Sequence, residues 1–251
     1  MAAVLDLGLA KPGAITISDI AKARLKHLEK KYGVAATGSN LKAAAKGEVV
    51  VLAIKPQNLP EVMAELSGSF KPSQLVLSII AGAKTKTLSG GLGHNSIVRA
   101  MPNTPARIGE GISVWTATAA VSKKQRAWAG AILGAMGKEV YVDDEQYIDM
   151  ATAVSGSGPA YFFLMVEALV DAAAGIGLPR ALALKLVLET MLGSGHLIRR
   201  SGKAPAELRR MVTSPGGTTA AALAQLEKGK FADLIKRAVK AAYNRAKELG
   251  R

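Results

Sequence analysis

The stretch "VVVLAIKPQN" at residues 49–58 decides how the first half of the chain folds. Its continuous apolar run, 49–54, is typical of a strand that is buried on both faces of a parallel sheet. Pro56 keeps the strand from running on, and Lys55 places a positive charge just behind it. Because open α/β sheets bind ligands past the carboxyl ends of their strands, this turn is a candidate binding position for an anionic cofactor.

On either side of this strand, short β-rich runs alternate with helical patterns as far as residue 142. The further predicted strands are 14–18, 75–80, 96–101, 111–117 and 138–142. The predicted helices are 1–10, 21–32, 60–66 and 123–136. This alternation predicts an α/β fold with a doubly wound, Rossmann-like parallel sheet.

After Asp143 the pattern is helical throughout, with no convincing strand. The predicted helices there are 144–154, 160–177, 179–200, 204–212, 218–229 and 231–249. The sequence therefore predicts two domains, an α/β domain at 1–142 and an all-α domain at 143–251.

Composition excludes several kinds of site. The 251 residues contain no cysteine, which excludes disulfides, a thiolate nucleophile and cysteine-ligated metals, and fits a cytoplasmic protein. The three histidines are far apart in sequence, so we expect no metal site. Net charge is +14, but the basic residues are dispersed without interleaved aromatics, which argues against nucleic acid as the partner.

Membrane segments are also not expected. The N-terminal stretch "MAAVLDLGLAKPG" lacks the pattern of a secretion signal. The longest apolar stretch, 161–178, contains Glu167 and Asp171 and is interpreted as a buried helix. The helix at 160–177 is apolar on most of its faces, so other chain segments must pack against nearly all of its surface. We therefore expect at least a homodimer, with the binding site completed across the subunit interface.

Two more strand ends carry residues suited to a ligand. Ala81 and Gly82 follow the strand at 75–80 and are small enough for close approach. Asn103 and Thr104 follow the strand at 96–101, in a turn stiffened by two prolines. Each alone resembles an ordinary loop, but three such tips in one sheet favour a shared crevice.

Two irregular segments interrupt the helical half. In "SGSGPAYF", 155–162, Ser157 and Gly158 can cap a helix, and the small residues permit close packing of another element or subunit. In "TSPGGTT", 213–219, the glycines leave amides uncovered and a helix begins behind them. The second segment is either a loop between packed helices or a binding site for a carboxylate or phosphate, and the helix N-terminus favours the anion site.

Four stretches together resemble the pyrroline-5-carboxylate reductase family: "LAIKPQ", "RAMPNTPARIGEG", "VSGSGPAY" and "LRRMVTSPGGTTAAALAQLE". The resemblance covers nearly the whole chain. It implies reduction of 1-pyrroline-5-carboxylate to proline by hydride from NADPH or NADH. It also implies a dinucleotide-binding Rossmann domain at 1–142 and a helical substrate-binding domain at 143–251 that forms homodimers or larger homo-oligomers.

The resemblance also assigns residues. The cofactor contacts that it implies are Ala53, Lys55, Pro56, Ala81, Gly82, Asn103 and Thr104. The substrate carboxylate is assigned to Ser214, Gly216, Gly217 and Thr218. Thr219 is assigned a hydrogen bond to the ring nitrogen and is the candidate catalytic residue. The proton gained by that nitrogen can come from an already protonated substrate, from water or from Thr219.

Cofactor preference is open. Where the family usually carries a basic residue for the 2′-phosphate of NADP, this chain has Ile20. Asp19 suits the ribose diol of NAD, while Lys22 and Arg24 can reach a phosphate. The alternative function is that of a related imine or β-hydroxyacid reductase with the same two-domain plan. The motif "TSPGGTT" favours pyrroline-5-carboxylate reductase over this alternative.

The family also carries a strand and a glycine-rich turn ahead of the position that aligns with Met1. We therefore expect a sheet without its first, central strand and weak binding of NAD(P)H. The expectation is a shortened version of a functional reductase. The alternative is a genuinely short protein with weak or absent cofactor binding and activity.

Overall fold

The computed structural model describes residues 1–250, which form two compact units. The first unit comprises Met1–Ser157 together with the residues from Ala241 onward, and the second comprises Gly158–Lys240. The domain boundary at residue 142, drawn from the sequence where the strands end, stays a prediction.

The first unit contains seven strands in two sheets. The strands are β1 Thr16–Ser18, β2 Ala35–Thr37, β3 Val49–Leu52, β4 Leu75–Ser78, β5 Ile97–Met101, β6 Gly111–Ala117 and β7 Gly137–Tyr141. Strands β3 to β7 pair in chain order, all parallel except for the antiparallel β5–β6 pair. Strands β1 and β2 form a separate parallel pair. The predicted parallel α/β sheet is confirmed. The structure differs from the prediction in that the strands form two sheets and that the pair β5–β6 is antiparallel.

Twelve α-helices accompany the strands within the described residues. They are α1 Ala2–Asp6, α2 Lys22–Tyr32, α3 Asn40–Ala44, α4 Leu59–Leu66, α5 Thr85–Leu92, α6 Lys123–Gly134, α7 Gln146–Ala151, α8 Gly158–Gly175, α9 Arg180–Ser201, α10 Pro205–Met211, α11 Thr218–Lys228 and α12 Phe231–Leu249. A π-helical turn, Thr152–Gly156, separates α7 from α8. As the sequence predicts, no strand follows Tyr141 in the described chain.

The core of the first unit lies on the two faces of β4 and β5, whose buried side chains alternate between them. One face packs against α4 and α5 through residues such as Val76 and Ile97. The other packs against α6 through residues such as Leu77 and Val98. Burial of both faces explains the continuous apolar runs of these two strands.

Strand β3 differs from the prediction that it is buried on both faces. It is the first strand of the five-stranded sheet, and its Val51 is 46% exposed. The reason is that β1 and β2 pair with each other, so no strand within residues 1–250 hydrogen-bonds to the second edge of β3. The strands buried on both faces are β4 and β5 instead.

Candidate functional site

Three of the predicted ligand-binding loops lie at the same end of the five-stranded sheet, past the carboxyl ends of its parallel strands. The parallel register places Leu52 of β3 opposite Ser78 of β4, and Ser78 opposite Arg99 of β5. The loops that follow these strands therefore leave the sheet side by side. This end of the sheet, with the loops 53–56, 79–84 and 102–104, is called the crevice edge below.

The first loop of the crevice edge presents a cation to solvent. Lys55 is the N-cap of a 3₁₀ turn, Pro56–Asn58, that begins at the proline. The Asn58 amide donates to the Lys55 carbonyl at 3.0 Å, which fixes the turn. Ala53 and Lys55 are exposed and Pro56 is half-buried, so this loop offers a small residue and a charge to a ligand.

The second loop is covered by the chain's own last helix. Gly82 has φ +77° and is buried, and a Cβ placed on it would lie 2.6 Å from the carbonyl carbon of Leu249 at the end of α12. Ala81 beside it is half-buried. A ligand that contacts Gly82 on that side must therefore displace the last turn of α12.

The third loop follows β5 and is tied to the neighbouring strand. Asn103 is half-buried, and its Oδ1 accepts a hydrogen bond from the Ile112 amide at 2.9 Å. Its side-chain NH₂ group is therefore the part that can donate to a ligand. Thr104 is exposed and begins the 3₁₀ turn Thr104–Ile108.

The predicted ribose- and phosphate-binding residues follow β1. Asp19 Oδ1 accepts from the Ala21 amide at 2.8 Å, and its Oδ2 lies 3.5 Å from Nε of Arg24. Lys22 is exposed at the start of α2. Because β1 is not hydrogen-bonded to β3, the sheet register does not itself place these residues beside Lys55.

A buried charge network next to the crevice edge was missed in the sequence analysis. Arg99 on β5 is 1% exposed, and its two terminal nitrogens donate to Glu145 at 3.0 Å and Asp149 at 2.5 Å. Glu145 in turn accepts from the amide and hydroxyl of Thr85. The available signal was one arginine inside the apolar strand "IVRAM", which requires a buried partner.

In the second unit, the glycine turn precedes a helix start that no side chain caps. Gly216 has φ +72°, and the Gly217 amide donates to the Ser214 carbonyl at 3.0 Å. Gly217 is the N-cap of α11 and provides no side-chain cap hydrogen bond. A Cβ on Gly217 would lie 2.5 Å from Ser214 Oγ, so the hydroxyl occupies the space that a side chain would need.

This turn offers several donors close together. The N–H groups of the first turn of α11, at 218–220, have no carbonyl behind them in the helix. Ser214 and Thr218 are exposed, and the half-buried Thr219 follows Thr218 as the second residue of the helix. Hydroxyls and uncapped amides at the positive end of a helix suit a small anion.

The residues of the crevice edge fit a dinucleotide. Ala53 and Ala81 leave room for close approach, Lys55 supplies positive charge, and strand ends of an open sheet are where such ligands bind. In contrast, residues 1–250 contain no group of three or more histidine, aspartate or glutamate side chains that could hold a metal ion.

Comparison with known proteins gives matches over both parts of the chain. Residues 145–249 match a family described as pyrroline-5-carboxylate reductase dimerisation. Residues 1–82 match a family described as NADP oxidoreductase, coenzyme F420-dependent.

Individual relatives extend the similarity over nearly the whole chain. A pyrroline-5-carboxylate reductase of Synechocystis is 45% identical over 240 residues, covering 96% of this chain and 89% of the relative. The solved Coxiella burnetii reductase superposes with a TM-score of 0.88 at 37% identity, covering 100% of this chain and 93% of that one. The Plasmodium falciparum enzyme, solved with NADP bound, gives 0.91 at 30% identity, covering 99% and 92%.

Proposed function

The chain belongs to the pyrroline-5-carboxylate reductase family, and from that premise we propose how its residues carry out the reaction. The substrate, 1-pyrroline-5-carboxylate, is a cyclic imine with a carboxylate, and the product is proline. The nicotinamide cofactor, when bound, supplies a hydride to the imine carbon. The protein's tasks are to bind the carboxylate, orient the ring and keep a proton on the ring nitrogen.

The uncapped N-terminus of α11 is the observation that carries the substrate assignment. A carboxylate there accepts hydrogen bonds from the first-turn amides and from the hydroxyls of Ser214 and Thr218. Gly216 and Gly217 keep the turn free of side chains, so the carboxylate can approach the backbone. Binding at this end holds the ring at a fixed distance from the helix.

Thr219 is the second residue of α11. We assign its hydroxyl a hydrogen bond with the ring nitrogen of the bound substrate. When hydride adds to the carbon, the electron pair of the C=N double bond moves onto nitrogen. A protonated imine becomes a neutral amine in that step, and Thr219 Oγ1 accepts from the N–H throughout. The residue orients the ring, and orientation of reactants is a large part of the rate advantage of enzymes.

The crevice edge is assigned to the cofactor. Lys55 attracts its phosphates, Pro56 and Thr104 give the loops their shape, and the NH₂ group of Asn103 donates toward the bound dinucleotide. Asp19 contacts the ribose at the adenine end, and Lys22 is assigned to a phosphate there. We propose NADPH as the preferred cofactor, because residues 1–82 match an NADP oxidoreductase family and a similar reductase was solved with NADP bound, while Lys22 and Arg24 provide positive charge beside Asp19 for a 2′-phosphate.

The helical unit implies a homo-oligomer, since it matches a dimerisation family. Its long helices expose large apolar side chains, among them Phe162, Phe163 and Leu164 at 62%, 62% and 65%. Exposed apolar surface of this extent marks a contact with another molecule. We propose that a second copy of the chain covers α8 and α9.

The same apolar surface raises a second possibility. By length and composition alone, the stretches Gln146–Gly175 and Arg180–Ser201 could cross a membrane. The match of residues 145–249 to a dimerisation family favours a partner chain as the cover instead. We therefore propose a cytoplasmic enzyme, in keeping with the absence of cysteine.

The test is oxidation of NADPH by the purified chain with 1-pyrroline-5-carboxylate as substrate. We expect absorbance at the nicotinamide band to fall, with proline as product. The control replaces the substrate with pyrroline that lacks the carboxylate. Equal rates with both compounds would contradict the assignment of α11, and no rate with either would contradict the proposed function.

A further inference from the structure

The buried Arg99 network has a feature that packing alone does not require. Arg99 lies among apolar strand residues, yet its side chain is only 2% exposed and carries a full charge. Burying such a charge is costly, and an apolar residue of similar volume is often as stabilising. The planar guanidinium does something else, because it fixes the relative position of the two groups that it bridges.

The groups bridged by Arg99 are far apart in sequence. Glu145 and Asp149 lie 46 and 50 residues away, just before and within α7. Asp149 is 8% exposed, so its bond to Arg99 is shielded from water. The guanidinium therefore holds α7 against β5 with two directed hydrogen bonds.

Glu145 extends the network to the second loop of the crevice edge. Its Oε1 accepts from the Thr85 amide at 2.7 Å, and its Oε2 accepts from the Thr85 hydroxyl at 2.9 Å. Thr85 is the first residue of α5, directly after that loop. The third loop begins directly after Met101, which itself lies two positions beyond Arg99. One buried arginine thus connects the bases of two crevice loops.

The π-helical turn after α7 contacts the end of β5, just before the third loop of the crevice edge. The amide of Ser157 donates to the Thr152 carbonyl at 2.8 Å, the wide spacing of a π turn. This turn brings Gly156 against Met101, where a Cβ on the glycine would lie 3.2 Å from Met101 Cε. π turns inside helices are frequent at functional sites.

We propose that Arg99 is a positioning residue, which, through Glu145, Asp149 and Thr85, fixes the second and third loops of the crevice edge for the nicotinamide cofactor. The proposal rests on the proposed function for the identity of the ligand. Arg99 touches neither cofactor nor substrate and acts only through the geometry of the loops.

The first test is Arg99→Lys, which keeps the charge but cannot bridge two carboxylates with fixed geometry. We expect the dissociation constant of NADPH, from a fluorescence titration, to rise about tenfold, the size of one hydrogen bond to a charged group. The KM for the imine substrate is expected to stay within about twofold, since α11 is untouched. Arg126→Lys is the matched control, because Arg126 stacks on Tyr141 and has no tie to the loops.

Glu145→Gln is the second variant and decides the matter if Arg99→Lys does not fold. It leaves the Arg99–Asp149 pair, but it removes the charge of the carboxylate that Arg99 and Thr85 share, so it weakens both of those contacts. Amide hydrogen exchange gives a readout without any ligand: exchange in 79–85 is expected to become faster, with α6 unchanged. A variant with wild-type NADPH affinity and wild-type exchange in this loop would overturn the proposal.

These readouts separate the two proposals. Wild-type chain that binds NADPH but does not reduce 1-pyrroline-5-carboxylate contradicts the proposed function, while the titration still decides the role of Arg99. If wild-type binding is too weak to titrate, the exchange of 79–85 in Glu145→Gln decides that role alone. Loss of thermal stability with unchanged loop exchange would mark Arg99 as purely structural.

Discussion

At the scale of single residues, the turn before α11 depends on the close approach of Ser214 to Gly217. Ser214 Oγ lies where a side chain on Gly217 would have to go. The turn therefore has no room for a side chain at residue 217, and no side chain caps the first turn of α11. This arrangement makes single substitutions in the turn informative about the substrate.

The hydroxyl of Thr219 is expected to matter for turnover more than for folding. Thr219→Ala should lower kcat about 2- to 12-fold, because a typical hydrogen bond contributes about 0.5–1.5 kcal/mol and its loss leaves the ring less well oriented. Steady-state rates and a thermal melt measure the two effects separately. Thr213→Ala is the control, because that hydroxyl donates to the Arg209 carbonyl at the end of the preceding helix. Full activity of Thr219→Ala would remove the residue from the mechanism.

Gly217→Ala tests whether the substrate carboxylate enters this turn. The added Cβ would meet Ser214 Oγ at 2.5 Å and force the hydroxyl out of place. We expect the KM for the imine substrate to rise about tenfold, with the affinity for NADPH unchanged. Gly130→Ala, on α6, serves as control, because the nearest atom to its Cβ is 3.9 Å away, an ordinary contact. An unchanged KM would show that the carboxylate binds elsewhere.

At the scale of secondary-structure elements, α12 has an unusual position within the first unit. Its amphipathic sequence places Ala246 in a buried position, and its last turn lies on Gly82 in the crevice edge. A helix end that covers a proposed ligand contact competes with the ligand. Binding must then displace it, or the ligand must use the other residues of the edge.

Shortening α12 is therefore expected to increase cofactor affinity. A chain that ends at Glu248 lacks the Leu249 backbone that contacts Gly82. If NADPH contacts Gly82, its dissociation constant in a fluorescence titration should fall about threefold or more, because less of the protein has to be displaced. Leu249→Ala in the full chain keeps the backbone contact and is the control. Weaker binding by the shortened chain would show that α12 supports the crevice instead.

At the scale of the whole molecule, exposed apolar residues dominate the second unit. Only a few of its side chains are buried, among them Val170 and Ala183, although α8 and α9 are long and apolar. A small helical unit cannot cover such helices by itself. The physical expectation is a second copy of the chain.

Charge introduced on α8 should disrupt that association. In Phe162→Glu, a carboxylate replaces a side chain that is 62% exposed here and that a partner would bury. Sedimentation velocity is expected to show the variant as a smaller species than the wild type, with activity reduced. Lys236→Glu is the control for added negative charge, because the Lys236 side chain on α12 is 78% exposed. A wild-type chain that is monomeric and active would contradict the proposed oligomer.

The sequence by itself determined the alternation of strands and helices, the change to all-helical structure after residue 142 and the positions of the candidate loops. These features follow from local periodicity and from prolines and glycines, which act within a few residues. Strand β2 and helices α3 and α5 were not predicted. They are short, β2 reads only "AAT", and α5 contains two glycines, so their local signals are weak.

Only the tertiary structure decided which strands are central, what covers Gly82 and what Arg99 does. Val51 and Val76 stand in similar apolar runs, yet one is 46% exposed and the other fully buried, because pairing partners far along the chain set burial. Arg99 meets partners 46 and 50 residues away, and no local pattern encodes such contacts. Periodicity records the neighbours along the chain, whereas strand order and buried charge pairing depend on neighbours brought together by folding.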